Sequence, residues 1–185
     1  MRTGFFEPDQ FRSVHKHLPD YLKPFAHFDY LTGWRKSEVS SLEWRQVDFK
    51  VGRVCLDVGT TKNDEGRVFP FTRELRELLE NQREHTLKLQ RKEDKVIPWV
   101  FHRKGKPIGD FRKAWATACR KAGTPGRIPH DFRRTAVRNL VRAGIPERVA
   151  MQMTGHKTRA VFERYNIVSE GDLTDAARRL DAVNE

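Results

Sequence analysis

Cysteine is scarce in this sequence, and long apolar runs are missing. Its 185 residues include two cysteines, Cys55 and Cys119, which lie far apart in the chain. Such a pair suits reduced, buried thiols in a cytosolic protein better than a disulfide framework. No stretch approaches the roughly 18 apolar residues of a membrane-spanning helix. The N-terminal "MRTGFFEPDQ" lacks the apolar segment of a secretion signal. We therefore expect a cytoplasmic protein with no membrane partner.

Motifs for metal ions and nucleoside triphosphates are also missing. No run of acidic residues resembles a Mg²⁺ site, and the seven histidines have no close Cys or His partner at zinc spacing. No glycine-rich phosphate loop is present. We therefore expect no metal, no cofactor and no use of ATP or GTP.

Positive charge is plentiful and concentrated. The net charge is +11, and the window from Phe101 to Tyr165 holds 16 Lys and Arg against 4 Asp and Glu. The rest of the chain is close to neutral. A concentrated basic segment indicates a phosphate-bearing partner, and nucleic acid is favoured over a merely solvated basic face.

The apolar pattern predicts one mostly helical domain over residues 1–185. Residues 51–71 alternate around the turn sequence "KNDEG" and predict a small hairpin or meander, in which Pro70 indicates an edge strand. "VIPWVF" (96–101) is a further candidate strand. The fold class is therefore mainly α with a small antiparallel β-sheet (α+β). The predicted helices are 9–18, 20–33, 37–44, 75–92, 110–123, 129–144, 145–153, 158–165 and 172–183.

Several helix boundaries carry specific signals. Gly33 can end the second helix, Ser37 is a candidate N-cap for the third, and Asp110 is a candidate cap for the helix over 110–123. In "TRAVFERY" we expect Val161, Phe162 and Tyr165 on one side, with Val161 and Phe162 anchoring the helix to the core.

Two pairs of residues have the spacing of a phosphate site. His130 and Arg133 are i and i+3 in "HDFRR", so they share a helical face near an N-terminus that favours anions. Arg35 follows a helix end, and Glu38 can hold its guanidinium by an ion pair. Each pair alone is also compatible with an exposed helix surface.

Three further residues complete a chemically coherent set. Lys62 lies beside the predicted hairpin turn, His156 follows Gly155 in "TGHKT", and Tyr165 ends "FERY". Alone, Lys62 is compatible with a solvated turn and His156 with a structural role. Together with two arginines they suit a phosphodiester reaction without metal, in which guanidinium groups bind the non-bridging oxygens. A tyrosine hydroxyl, with an ordinary pKa near 10, attacks only with help from a base and a cationic pocket.

These residues, in this order and context, resemble the tyrosine recombinases (phage integrase family). The motifs are "TGWRKSEV", "TTKNDEGR", "HDFRRT", "TGHKT" and "FERYNI", and the resemblance runs from about Phe5 to about Val183. Phe132 stands where leucine is common in the family motif.

The resemblance implies a role for each position. Tyr165 would attack a scissile DNA phosphate, forming a 3′-phosphotyrosyl link and freeing a 5′-hydroxyl. Arg35, Arg133 and His156 would bind the phosphate oxygens. Lys62 would protonate the leaving oxygen, His130 would help to accept the tyrosine proton, and Glu38 would support the arginine.

The resemblance also implies partners and assembly. Double-stranded DNA is the expected substrate, and four protomers would act on two DNA sites, with a monomer expected when free. A phage, bacterial or mobile-element origin fits. Family members usually carry N-terminal core-binding or arm-binding domains. We expect these to be absent from this chain, and we therefore expect weak DNA affinity and poor complete recombination from it alone.

Some interpretations stay open from the sequence. A type IB topoisomerase shares this chemistry, and a catalytically inactive DNA-binding module is a third possibility. The last helix, with Leu173, Ala177 and Leu180, can pack on its own domain or on a neighbouring protomer. The exposed cations of the helix over 110–123 are candidates for DNA backbone contacts or groove entry, or form a solvated face: Arg112, Lys113, Arg120 and Lys121.

Overall fold

The computed structural model describes residues 4–57, 66–163, 165, 173–174, 177–178 and 181. Helices dominate it, as predicted. Short 3₁₀ turns cover Asp20–Leu22 and Trp44–Gln46. The α-helices are α1 (Pro8–His17), α2 (Lys23–Thr32), α3 (Lys36–Ser40), α4 (Arg73–Glu93), α5 (Arg112–Lys121), α6 (Asp131–Arg142), α7 (Glu147–Thr154) and α8 (Arg159–Glu163).

The predicted small antiparallel sheet is present and includes a strand that the pattern did not indicate. Strands β1 (Val47–Asp48), β2 (Arg53–Leu56) and β3 (Arg67–Pro70) lie in that order, each antiparallel to its neighbour. Within the described residues β3 is an edge strand, as Pro70 indicated. A second antiparallel pair, β4 (His102–Arg103) and β5 (Lys106–Pro107), was not predicted.

A cluster of aromatic rings forms the main core between α1, α2, α5 and α6. Phe132 is fully buried at its centre. Its ring centroid lies 4.7 Å from that of Phe6 and 5.3 Å from that of Trp115. It also contacts Phe11 and Tyr30. A phenyl ring at this position therefore fits the bulk of its neighbours, and the first turn of α6 is fixed against the N-terminal helices.

Close contact between α2 and α6 depends on a glycine. Gly33 ends α2 with φ of 62°, and its N–H donates to the carbonyl of Asp29, as the sequence predicted for a helix stop. A Cβ at Gly33 would lie 2.6 Å from the Cβ of Ala136. The absence of a side chain thus lets the corner before α3 approach the backbone of α6.

A smaller apolar cluster joins the last described helices. Val137 of α6, Ala150 of α7 and Phe162 of α8 are fully buried together, and Tyr165 packs against them. The indole of Trp34 donates to the carbonyl of Met153 at 3.0 Å, which ties α7 to the corner before α3. Phe162 is therefore an anchor, as expected, and it holds the segment that bears Tyr165.

Four local predictions were wrong. The N-cap of α3 is Arg35 rather than Ser37, because the Glu38 carboxylate accepts from the Arg35 backbone N–H. Residues 96–101 form only one bridge, between Trp99 and Glu43. It consists of the backbone hydrogen bonds from the Trp44 N–H to the Pro98 carbonyl and from the Val100 N–H to the Leu42 carbonyl. The other two corrections concern Asp110 and Val161.

Helix α5 starts one residue later than predicted, with Phe111 as its N-cap, although Asp110 still accepts from the N–H of Arg112. Val161 is 38% exposed. Because α8 has only five residues, its buried stripe is narrow and Phe162 alone fills it.

No helix in the described part of the chain is long and apolar enough to cross a membrane. Of the predicted last helix, Leu173, Ala177 and Asp181 are helical and exposed, and Leu180 lies outside the described residues. The choice between packing on its own domain and on a neighbour stays untested.

Candidate active site

Arg35 is positioned by a capping arrangement. It directly precedes α3, and both its backbone N–H and its guanidinium donate to Glu38, at 2.8 Å and 2.9 Å. The Glu38 side chain is only 3% exposed, whereas that of Arg35 is 28% exposed. The predicted ion pair is therefore confirmed, and Arg35 keeps part of its surface free to meet a ligand.

A second arginine shares the same carboxylate. The guanidinium of Arg67, on β3, donates to both oxygens of Glu38 at 2.9 Å and 3.3 Å and is almost fully buried. The sequence interpretation missed Arg67. Strand alternation contains the signal, because Arg67 and Phe69 are two residues apart and both face inward.

Arg67 also lies against the turn that carries His156. A Cβ at Gly155 would overlap the Arg67 guanidinium, and Gly155 ends α7 with φ of 71°. A glycine is thus required there by conformation and by space. Through Glu38 and Arg67, the sheet is therefore connected both to Arg35 and to the loop of His156.

Arg133 links three parts of the site. Its side chain on the first turn of α6 is buried and donates to the carbonyl of Gly33 at 2.8 Å. Its other terminal nitrogen lies 3.4 Å from the carbonyl of Gly155 and 3.4 Å from Nδ1 of His156. Arg133 therefore connects the corner of Arg35 with the loop of His156, which lie far apart in sequence.

His130 and Tyr165 meet at the N-terminus of α6. His130 is the N-cap residue of α6, and its Nε2 lies 3.1 Å from the hydroxyl of Tyr165. The ring centroids of Tyr165 and His156 are 4.9 Å apart. The guanidinium carbon of Arg134 lies 5.7 Å from the centre of the Tyr165 ring, within range of a cation–π contact. Arg134 was not predicted as part of the site.

The site is strongly positive, and its pKa shifts show this. Burial together with the charges of Arg35 and Arg67 lowers the pKa of Arg133 to about 10. Burial and the charges of Arg133, Arg35 and Arg67 lower the pKa of His156 to about 3, so its ring is neutral at physiological pH. Burial, then Arg133 and Arg134, lowers the pKa of His130, which keeps this ring available as a proton acceptor.

Two carboxylates accompany these cations, and their pKa values are shifted in opposite directions. Burial opposes ionisation of Glu38, yet the hydrogen bonds and charges of Arg67 and Arg35 outweigh it, and the pKa is lowered. Burial raises the pKa of Asp29 well above its usual range despite the charge of Arg133. Glu38 is thus ionised and lies among three buried or half-buried arginines. Its one negative charge does not neutralise their three positive charges, so the site favours an anionic ligand.

The other predicted residues lie apart from this centre. Lys62 falls outside the described residues. Arg112 is exposed and paired with Asp110, and it lines a cavity of about 530 Å³ that reaches His130. Lys113, Arg120 and Lys121 are exposed on α5. The structure thus brings together Arg35, Glu38, His130, Arg133, His156 and Tyr165, and leaves the α5 cations at the surface.

Among the residues that the structure describes, no group of three or more His, Cys, Asp or Glu side chains could hold a metal ion. The site consists of nitrogen donors, one ionised carboxylate and a phenol. Such donors suit an anionic ligand better than a cation.

Comparison with known proteins identifies relatives in sequence and in fold. The model of the phage integrase family matches residues 5–171. The integrase of Salmonella phage P22 is 27% identical over an alignment 200 positions long, which covers 98% of this chain and 48% of that protein. The XerA recombinase structure has a TM-score of 0.77 at 19% identity, covering 96% of this chain and 63% of that chain. The catalytic domain of bacteriophage HP1 integrase has a TM-score of 0.65 at 19% identity, covering 96% of this chain and 95% of that chain.

The fold is therefore that of tyrosine-recombinase catalytic domains. With nine-tenths of its length matched by the family model, the chain belongs to the phage integrase family. It spans about half the length of the relatives it matches, 48% of the P22 integrase and 55% of a XerC recombinase of Halalkalibacterium halodurans.

Proposed function

We propose that the chain is the catalytic domain of a site-specific DNA recombinase. It cleaves and rejoins DNA strands through a 3′-phosphotyrosine intermediate and needs neither metal nor ATP. The observation that carries this proposal is the placement of the Tyr165 hydroxyl 3.1 Å from His130, with the Tyr165 ring against His156, which itself lies close to Arg133 and within the electrostatic influence of Arg35.

The chemistry follows from the protonation states. His130 is neutral, because burial and the neighbouring arginines lower its pKa, and it accepts the proton of the Tyr165 hydroxyl. The phenolate oxygen bonds to phosphorus, and the bond from phosphorus to the 5′-oxygen breaks. Lys62 supplies a proton to the leaving 5′-oxygen. The phosphotyrosyl ester conserves the bond energy, so the reverse attack by a 5′-hydroxyl rejoins the strand.

Charge stabilises the transition state of this step. Arg35 and Arg133 bind the non-bridging oxygens, where negative charge develops, and His156 adds a hydrogen bond. Glu38 holds Arg35 in place. Loss of one such preorganised donor typically costs about 10²- to 10³-fold in rate. Burial strengthens these interactions because little water competes for the phosphate oxygens.

The partner is double-stranded DNA. The positive excess of residues 101–165 and the exposed cations of α5 suit a phosphate backbone. Exchange between two DNA sites requires four protomers, since each protomer carries one nucleophile and two sites present four strands for cleavage. The free chain is a monomer. The near-complete coverage of the HP1 catalytic domain favours residues 1–185 as a single catalytic unit.

The experiment uses a nicked DNA duplex whose cleavage releases a short fragment, so that rejoining is prevented and the covalent complex accumulates. Candidate sites come from paired repeats in the DNA that flanks the gene. Wild-type protein is expected to form a complex that survives denaturation, and Tyr165→Phe is expected to form none. Tyr30→Phe is the matched control, because Tyr30 packs in the main core.

Three outcomes would contradict the proposal. A covalent complex that persists in Tyr165→Phe would move the nucleophile elsewhere. Binding without a complex on any candidate site would favour a DNA-binding module. Relaxation of supercoiled DNA lacking such sites, at the same rate as DNA that contains them, would favour a topoisomerase.

A further inference from the structure

Thr154, the last residue of α7, contacts His156 directly. Its hydroxyl oxygen lies 2.7 Å from Nδ1 of His156 and 2.7 Å from the carbonyl oxygen of Ala150. Thr154 is fully buried, and His156 is 7% exposed. A hydroxyl has one proton, so it donates to one of these two atoms at a time.

The surroundings of Nδ1 decide which atom receives the proton. A terminal nitrogen of Arg133, which can only donate, lies 3.4 Å from Nδ1. A proton on Nδ1 would therefore face the guanidinium cation. The carbonyl of Ala150 lies one turn earlier in the same helix, where the backbone N–H of Thr154 is its regular partner. The Ala150 carbonyl thus has another hydrogen-bond donor, whereas the Thr154 hydroxyl is the nearest donor to Nδ1.

We propose that Thr154 is a positioning residue that fixes the tautomer of His156. Its hydroxyl donates to a bare Nδ1, so that Nε2 carries the ring proton and offers it to a phosphate oxygen. This inference rests on the proposed function for its role in catalysis, whereas the tautomer itself is a property of the free protein.

The lack of a hydrogen-bond partner at Nε2 of His156, among the described residues, is consistent with a protonated Nε2 that awaits a ligand. Nε2 of His156 is buried, and within the described part of the chain it has no hydrogen-bond partner. A buried polar atom without a partner costs free energy, so its retention calls for a ligand. Burial and the neighbouring arginines keep the ring neutral, so the tautomer decides what Nε2 can do: it is a donor in one form and an acceptor in the other.

The first arm of the experiment measures the tautomer in the free chain. Imidazole nitrogen chemical shifts from NMR distinguish a protonated from a bare ring nitrogen, and the signals of His156 are assigned by their absence in His156→Gln. In wild type we expect a protonated Nε2 and a bare, hydrogen-bonded Nδ1 near neutral pH. In Thr154→Val the Nδ1 signal is expected to move, because its hydrogen bond is lost, and in Thr154→Ser it is expected to stay.

The second arm measures the rate of covalent complex formation on the nicked duplex. Thr154→Val is expected to slow cleavage by about 10- to 100-fold, if the cost equals that of losing a group that orients a metal-bound histidine. Thr154→Ser, which keeps the hydroxyl, is expected to cleave within about threefold of wild type. Thermal unfolding of all three proteins checks that Val leaves the fold intact.

A proton on Nδ1 in wild type would overturn the proposal, and so would a Thr154→Val protein that cleaves as fast as wild type. If Val fails to fold, the wild-type tautomer and the Ser variant still decide. If wild type forms no covalent complex, the proposed function fails, and the nitrogen shifts still report whether Thr154 donates to His156.

Discussion

The Tyr165 hydroxyl and Nε2 of His130 lie 3.1 Å apart, although 35 residues separate them in the chain. The contact exists because α8 folds back onto α6 and α7, with Phe162 buried between them. In this structure the candidate nucleophile therefore lies beside its candidate base within one chain. The stability of that docked position depends on the small cluster around Phe162.

Phe162→Ala should therefore impair cleavage although the residue lies outside the pocket. Loss of a buried phenyl ring typically costs about 3–5 kcal/mol, and here the cost falls on the docking of α8. We expect a large drop in the rate of covalent complex formation on the nicked duplex. Val161→Ala, on the exposed side of the same helix, is the control and should cleave nearly as wild type does. Equal rates in the two variants would show that α8 docking does not limit cleavage.

Glu38→Gln should destabilise the whole domain. The substitution leaves the buried guanidinium of Arg67 without its anion, and breaking a buried ion pair typically costs about 3–5 kcal/mol. Urea unfolding followed by circular dichroism measures the loss. Glu84→Gln is a matched control, because Glu84 forms an exposed pair with Lys88 on α4, and its removal should change little. A Glu38→Gln protein as stable as this control would contradict the shared-carboxylate arrangement.

Acid should destabilise the fold partly through His156. The unfolded chain takes up a proton on this residue as the pH falls below about 6.5, whereas the folded chain does so only near 3. The stability from the neutral ring is therefore complete above pH 6.5 and is lost as the pH falls toward 3.

The free energy of unfolding at pH 7 and at pH 5 measures this effect. His156→Gln should lose about 1 to 2 kcal/mol less than wild type over this interval, after allowance for some screening by solvent. His130 acts in the same direction and Asp29 in the opposite one, but both are present in the two proteins and cancel in the comparison. Identical pH dependence in the two proteins would mean that His156 is protonated in the fold near its ordinary pKa.

The exposed cations of α5 should contribute to the salt dependence of DNA binding. Each phosphate contact that is removed lowers the slope of log K against log salt by roughly 0.9. Replacing Arg112, Lys113, Arg120 and Lys121 together by Ala should therefore flatten the slope by about 2 or more, measured by fluorescence anisotropy with a labelled duplex. The control is the double variant Arg91→Ala and Lys92→Ala, in the last turn of α4. An unchanged slope in the quadruple variant would assign these cations to a solvated surface.

Much of the fold could be predicted because its signals are local. Gly33 ends α2 and Pro70 lies on an edge strand, since each acts through its own backbone conformation. The N-cap of α3 could not be predicted in this way. Ser37 is the better capping residue by type, but the Glu38 side chain reaches back to Arg35 and shifts the boundary.

The site shows the same division between local and distant relationships. The i,i+3 pairs of Arg35 with Glu38 and His130 with Arg133 follow from helical geometry and were visible in sequence. Arg67 was missed because its partner lies 29 residues away and its own strand is short. Thr154 was missed because its role depends on Arg133, which approaches from another helix.

The sequence by itself determined most of the helices, the hairpin of β2 and β3, the positive charge and most residue types of the site, since these depend on composition and on neighbours within a few positions. Only the tertiary structure decided that Arg67 and Arg35 share Glu38, that Arg133 approaches the His156 nitrogen which Thr154 contacts, and that Tyr165 meets His130. Burial is the physical reason. It removes water from charges that are distant in sequence, so their protonation and their partners depend on which surfaces the packed helices bring together.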